Sequence, residues 1–439
     1  MSSLPTAKTS RRQFLKHTAL AGAVATAGLA ANPPVHAQGS GKIKIGVIGC
    51  GGRGGGAAQQ ALSTGKDVQL VAVGDYFKSR ATSVKNALKA DFPDQVDIPN
   101  ENVFDGFQNY AGVIGAGVDV VLIAGAAKFH PFYTKVAIEA GKHVFAEKPN
   151  AIDAAGIHVL EEAVALARRK NLSFLSGLHS RYTAQGQALV EQIHNGALGE
   201  IRAIQSNFLR SPYGVRGSYE GMSELDFQCY NQYMFAWLSG DDFIQSLVHN
   251  VDRMSWAVGK FPKAAYGMGG RASMIDRKYG SVFDHHSAVF YYGDDFSDNF
   301  RLFAACRTED QCYDDYNDHI FGAKGMADWN SASIRGEKNW RFAGSHEGGH
   351  QEEQTALFKA LRNGGRIDSG DYAVKSTMMA ILGQIACYTG KMITWDELYN
   401  SKFEFPPSPE KCVAGMDPPV LPGPDGVYPV PIPGSNPWW

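Results

Sequence analysis

The stretch Lys42-Ile43-Lys44-Ile45-Gly46-Val47-Ile48-Gly49-Cys50-Gly51-Gly52-Arg53-Gly54 decides the fold. Its first seven residues alternate and then run apolar, as in a strand buried on both faces, and Ala57 to Leu62 beyond it reads as a helix. Glycines at 49, 51 and 54 leave the spacing G-x-G-x-x-G between the two. Alone, that spacing is a weak signal. It gains weight from the strand before it, the helix after it and an acidic residue closing the next strand. Val68 to Val73 is that strand, and it ends in Gly74-Asp75, 26 positions beyond Gly49.

Each residue type has a physical task. Gly49 permits a tight turn, Gly51 lets the backbone approach a pyrophosphate, and Gly54 lets helix and strand pack closely. The helix start at Gly52-Arg53 presents free amides and a positive dipole end to the anion. Asp75 is placed to accept hydrogen bonds from the adenosine ribose hydroxyls and to repel a 2′-phosphate, so NAD is favoured over NADP.

The alternation of strand and helix continues. Val118 to Ala124 is a buried strand with Ala124 at its cofactor-facing end, Phe132 to Ala140 a helix, Gly141 its stop, and Lys142 to Ala146 the next strand, which runs into Glu147-Lys148-Pro149. The segment VDVVLIAGAAKFHPFYTKVAIEAGKHVFAEKP, residues 118–149, resembles the Gfo/Idh/MocA oxidoreductases, whose hallmark is this Glu-Lys-Pro tripeptide at a strand end; the likeness runs from about Lys42 to Leu398. Ligands of open parallel sheets bind beyond the carboxyl ends of strands, where the Lys148 ammonium can meet a substrate hydroxyl or a developing alkoxide. The resemblance implies that Glu147 and His130 lie beside the nicotinamide half of the cofactor. It also makes Lys148-Pro149 a candidate cis bond.

After Pro149 the pattern changes. Helices over 154–170 and 184–195, strands near 172–178, 201–209, 264–272, 287–292 and 300–306, and closing helices over 352–362 and 372–388 suggest an open, mostly antiparallel sheet covered by helices. The expected architecture is an α/β chain. It has a Rossmann domain over 42–150, an α+β substrate and oligomerisation domain over 151–400, and a C-terminal arm over 401–439. The last 35 residues hold 11 of the 20 prolines, with Tyr428, Ile432, Trp438 and Trp439 as apolar anchors for an extended arm on this or a neighbouring subunit.

The second catalytic candidate is His249. Read as one helix, residues 240–252 put Gln245 at i−4 and Asp252 at i+3 on its face. The resemblance implies an Asp-x-x-x-His-x-x-Asp pattern here, and the chain carries Gln245 in the first position. Glutamine orients a hydroxyl but takes no proton. Arg181 and Tyr182 match positions that line the family's cleft. Asp284-His285-His286 mimics a metal cluster, but adjacent histidines on a strand face opposite ways, so no metal is expected.

Net charge is −2 over 439 residues, without a basic cluster beyond the N-terminus, so no nucleic-acid partner is expected. Residues 1–37 read as a twin-arginine signal: Ser10-Arg11-Arg12-Gln13-Phe14-Leu15-Lys16, an Ala/Gly-rich stretch, then Val35-His36-Ala37. They hold four basic and no acidic residues, and removing them leaves 38 basic against 44 acidic. Export by that machinery to the periplasm without a membrane anchor is expected, with the cofactor loaded before transit. Six cysteines show no framework spacing. The expected protein is a homo-oligomeric NAD-dependent oxidoreductase of a carbohydrate or cyclitol, with His249 as base and Lys148 stabilising the alkoxide. Two other readings stay open: a redox-neutral lyase or glycoside-cleaving enzyme using transient sugar oxidation, and a sugar-binding protein with structural NAD.

Overall fold

The computed structural model describes residues 41–435 apart from 219, 297–299 and 347; the expected signal segment and Trp438-Trp439 lie outside them. Strands β1 (Ile43–Ile48), β2 (Val68–Gly74), β3 (Val103–Phe104), β4 (Val120–Ile123), β5 (His143–Ala146) and β6 (Phe174–Ser176) form one parallel sheet in the order β3-β2-β1-β4-β5-β6. This is the Rossmann order. Helices α1 (Gly52–Leu62), α2 (Lys78–Asp91), α3 (Asn109–Gly115), α4 (His130–Glu139) and α5 (Ala154–Arg169) supply the crossovers. Both sheet faces are covered, which explains why β4 is buried along its whole length and reads as an unbroken apolar run.

The first domain extends further than expected. β6 pairs in parallel with β5 through Val144 and Phe174, so α5 is one more crossover of the same sheet. The turn at Pro149 resembles a domain boundary in sequence because the chain leaves the strand there, but it returns after α5.

The second domain contains α6 (Ala184–His194), β7 (Ile201–Arg210), α7 (Glu224–Tyr230), α8 (Ala236–Ser239), α9 (Asp242–Gln245), α10 (Val248–Val258), β8 (Ala264–Gly270), β9 (His285–Tyr291) and β10 (Arg301–Thr308). Next come β11 (Asp315–Gly322), β12 (Gly325–Asp328), β13 (Ser333–Gly336), β14 (Trp340–Arg341), α11 (Gly349–Arg362), α12 (Gly370–Thr389) and β15 (Ile393–Thr394). The nine strands lie in the order β14-β13-β12-β11-β7-β10-β9-β8-β15, antiparallel except for β7 with β10. Burial alternates along β9 and β10, so one face packs on helices while the other is more open. β11 to β14 are absent from the sequence reading, since Asp315-Tyr316-Asn317-Asp318 carries little apolar patterning.

α12 is almost wholly buried and packs on β8 and β9 on one side and on α5 of the first domain on the other. One apolar core accordingly runs through both domains, while a smaller one lies under the other face of the Rossmann sheet. Asp241, at φ 74°, sits at the centre of the second domain. It is fully buried, and its Oδ2 accepts from the Phe283 amide at 2.8 Å and the Tyr388 hydroxyl at 2.6 Å. The proline-rich arm lies on this chain as far as residue 435. The buried Lys128 donates to the Phe405 carbonyl at 2.5 Å, Tyr428 is buried, and its hydroxyl meets Glu224.

A β-carbon on residue 54 would lie 1.7 Å from the Gly49 carbonyl oxygen. Gly54→Ala is therefore expected to lower unfolding free energy by about 1–3 kcal/mol and to weaken NAD binding more than tenfold. Urea denaturation and an NAD titration check both, and wild-type behaviour in both would mean that the turn relaxes freely.

Candidate active site

The glycine turn forms as its residue types require. Gly49 has φ 94°, and a side chain there would lie 2.2 Å from the Gly125 amide. Gly51 caps α1 with open space where its side chain would be, and the amides of the first turn lack intrahelical acceptors. Open space and aligned donors fit a pyrophosphate. Asp75 is buried at the end of β2 and lines the same cleft as Gly49, Gly51 and Ala124. Its carboxylate also has a task that the sequence reading did not assign. Oδ2 accepts from the Cys50 amide at 2.7 Å and Oδ1 from the Phe77 amide at 2.9 Å, tying the glycine turn to β2. Burial raises its pKa, against the two amides and the Arg80 charge.

Glu147 and Lys148 stand where β5 ends, and the Lys148-Pro149 bond is cis. Glu147 is buried and takes Arg53, from the first turn of α1, at 2.8 Å. His130, at the start of α4, puts Nδ1 2.8 Å from the Pro149 carbonyl and Nε2 3.1 Å from that of Gly125. It thus braces the tripeptide against the cofactor loop, and burial lowers its pKa. Lys148 Nζ donates to the Gln245 carbonyl at 2.7 Å. Burial brings its amine down to about 8, with Glu147 and Asp242 acting the other way. His130, Glu147, Lys148 and Gln245 line one small chamber.

The expected continuous helix over 240–252 is two helices. α9 ends at Gln245, the chain breaks at Ser246 with φ −113°, and α10 starts at Val248. Gln245 and His249 therefore do not share a helix face, and the break instead aims the Gln245 carbonyl at Lys148. Asp252 is not placed to orient His249. It is buried in a clamp, accepting from Arg181 Nε at 3.0 Å and from the Ser376 hydroxyl at 2.7 Å. Arg181, expected in the cleft, is consumed by this pair and lies over the Tyr372 ring at 4.1 Å. Tyr182 packs against the smaller core. For Asp252 and Arg181 the reason is that a buried carboxylate requires a cation, and here it comes from 71 positions away.

His249 itself is at the site. Burial, and then the Lys148 charge, hold its pKa well below the usual value, and its buried Nδ1 has no partner among the described residues. Its ring lies 5.0 Å from that of His179, which lies 4.0 Å from His350. His350 and its neighbour Glu353 were missed in sequence. The signal was His350-x-x-Glu353 directly after Gly348-Gly349, one helical turn apart at the start of α11. Asp284-His285-His286 divides as expected: His286 is buried and His285 partly exposed. Against its burial, Asp284 is held below the usual range by the amides of Met274, Ser273 and Ala272.

The fold and site define a dinucleotide-binding, two-domain protein with Lys148 at a strand end and His249 on α10. Residues 43–178 match the Gfo/Idh/MocA model, described as oxidoreductase family, NAD-binding Rossmann fold, and the N-terminal domain is an NAD-binding Rossmann domain. The chain is 30% identical over 204 residues to an inositol 2-dehydrogenase of Pseudomonas savastanoi pv. phaseolicola, covering 46% of this chain and 56% of the relative. It is also 30% identical over 171 residues to a D-glucoside 3-dehydrogenase of Escherichia coli, covering 39% and 44%. The chain thus matches about half the length of these curated relatives. Both domains superpose on scyllo-inositol dehydrogenase from Lactobacillus casei, solved with NAD(H) and scyllo-inositol, at TM-score 0.61 and 21% identity, covering 81% of this chain and 99% of that one.

With its amine near pH 8, Lys148 is charged below that value and neutral above it. If the charged form is the working one, kcat/KM falls about tenfold per pH unit above pH 8. Lys148→Arg, charged throughout, removes that limb whatever it does to the absolute rate. A profile that rises through pH 8 would make Lys148 the base instead.

Proposed function

We propose that this chain is an NAD-dependent oxidoreductase of a secondary hydroxyl on a sugar, sugar derivative or cyclitol, with the cofactor held between turnovers. The observation that carries the reading is the half-buried Lys148 amine at the carboxyl end of β5, close enough to His249 for its charge to lower the imidazole pKa. The names of the relatives, inositol and glucoside dehydrogenases among them, support the substrate class.

NAD, when bound, accepts hydride from the carbon that bears the hydroxyl. The protein's part is electrostatic and proton-handling. Lys148 as ammonium contacts the hydroxyl oxygen and stabilises negative charge growing there, which lowers the hydroxyl's pKa. His249, kept neutral by burial and by Lys148, is in the form that takes the proton. It is a weak base, and the ammonium beside the hydroxyl is what makes a weak base sufficient. Arg53 neutralises Glu147 and leaves the Lys148 charge for the substrate.

The twin-arginine reading of residues 1–37 supports export of the folded chain with its cofactor. Free NAD is scarce outside the cytoplasm, so such an enzyme must recycle the hydride on itself, with a second carbonyl compound taking it back. Exhaustively desalted protein is expected to carry NAD(H) and, with sugar and a carbonyl acceptor, to turn over repeatedly without added NAD. Lys148→Ala should keep the dinucleotide and lose about 10²–10⁴-fold in turnover. Product chromatography alongside absorbance at the reduced-nicotinamide band measures both. Wild-type turnover in Lys148→Ala sinks the mechanism, and a strict need for stoichiometric free NAD sinks the retained cofactor.

A further inference from the structure

Beside the chamber around Lys148, side chains from two distant parts of the chain converge. Glu147 ends β5, and His350 and Glu353 lie one turn apart on α11. Each offers one ligand atom, and these atoms lie within 4.8 Å of one another. Donors bound about 2.1 Å from a single ion are spaced about 3–3.6 Å apart, so side-chain adjustments of about an ångström would close the set.

Glu353 has no exposed surface, yet its Oε2 lacks a hydrogen-bond partner among the described residues. Among the described residues its Oε1 meets His350 Nδ1, at 3.3 Å. A buried carboxylate in this position needs either a proton or a cation. A proton on Oε1 would find an acceptor in His350 Nδ1 but would leave Oε2 unsatisfied among the described residues, whereas a cation would satisfy it. Glu147 adds a second negative group, which Arg53 offsets. The His179 ring, 4.0 Å from that of His350, packs beside the imidazole and limits its movement.

We propose that Glu147, His350 and Glu353 bind a first-row divalent transition ion of the Mn²⁺ or Zn²⁺ type. One imidazole and two carboxylates suit such ions better than Mg²⁺ or Ca²⁺, which prefer all-oxygen sets. Three protein ligands leave coordination positions open, and paired hydroxyl or carbonyl oxygens of a polyol are suitable occupants. Arg53 competes for Glu147, so the affinity belongs in the micromolar range. The ion site does not depend on the oxidoreductase reading.

The test uses tag-free, full-length protein dialysed against chelator and titrated calorimetrically with Mn²⁺ and with Zn²⁺. Glu353→Gln and His350→Ala are run in parallel, with NAD affinity measured in each. One ion per wild-type chain is expected, bound at least tenfold more weakly by both variants, while NAD affinity stays within twofold. No binding of either ion by the wild type overturns the proposal. So does binding that both variants retain unchanged, which would direct the ion elsewhere, for instance to Asp284, His285 and Glu309, the other described cluster with ligand spacing. If either variant fails to fold, pulsed electron paramagnetic resonance of the Mn²⁺-loaded wild type and of Mn²⁺-loaded His285→Ala replaces it: nitrogen coupling from one histidine that persists in His285→Ala supports the site, and its absence from the wild type or its loss in His285→Ala overturns it. Because the titration contains no sugar, failure of the ion site and failure of the oxidoreductase reading are told apart.

Discussion

The contact between residues 49 and 54 is the constraint on which the rest depends. With no side chain at either position, the start of α1 lies directly against the end of β1. From there Arg53 reaches across to Glu147, 94 positions on, and the tripeptide at the end of β5 is fixed relative to the cofactor turn. The Asp75 carboxylate fastens the same turn from the β2 side. The strand ends are thus joined to one another before any ligand arrives, by a near contact and two carboxylates.

Charge at the site is distributed by pairing. Asp252 belongs to Arg181, Asp242 to Arg210 at 2.6 Å, and Glu147 to Arg53. Burial makes the Lys148 amine titrate lower than that of an ordinary lysine, and because its partner is a carbonyl instead of a carboxylate its charge remains available. Burial brings the His179 imidazole down to about 3 and that of His350 to about 4, with neighbouring cations contributing. His179 and His350 are therefore neutral at ordinary pH.

Much of this was legible in the residues, because it is written locally. The turn from Gly49 to Gly54, the strands on either side and Glu147-Lys148-Pro149 are short patterns whose physics depends on near neighbours. Readings that assumed a regular helix across Ser246 failed, since nothing local reveals that the Gln245 carbonyl will turn to meet an amine 97 positions away. Asp252 was read as a cleft group from its i+3 spacing to His249, and Arg181 from its match to the family's cleft-lining positions; only the tertiary arrangement shows that they satisfy each other. β11 to β14 went unread because each is held by its neighbour, β11 by β7 and the other three in turn, and not by an apolar run of its own.

α12 has a mechanical consequence. A buried twenty-residue helix that belongs at once to the underside of one sheet and to the flank of the other acts as a shared beam. Opening the molecule like a pair of jaws would tear an apolar core that spans both halves, at a cost comparable to partial unfolding. Even at the rim of the cleft, Tyr213 and Arg216, which lie over the dinucleotide side, are anchored: Tyr213 stacks on Tyr233 at 4.5 Å and the Arg216 amide donates to Asn231 at 2.8 Å.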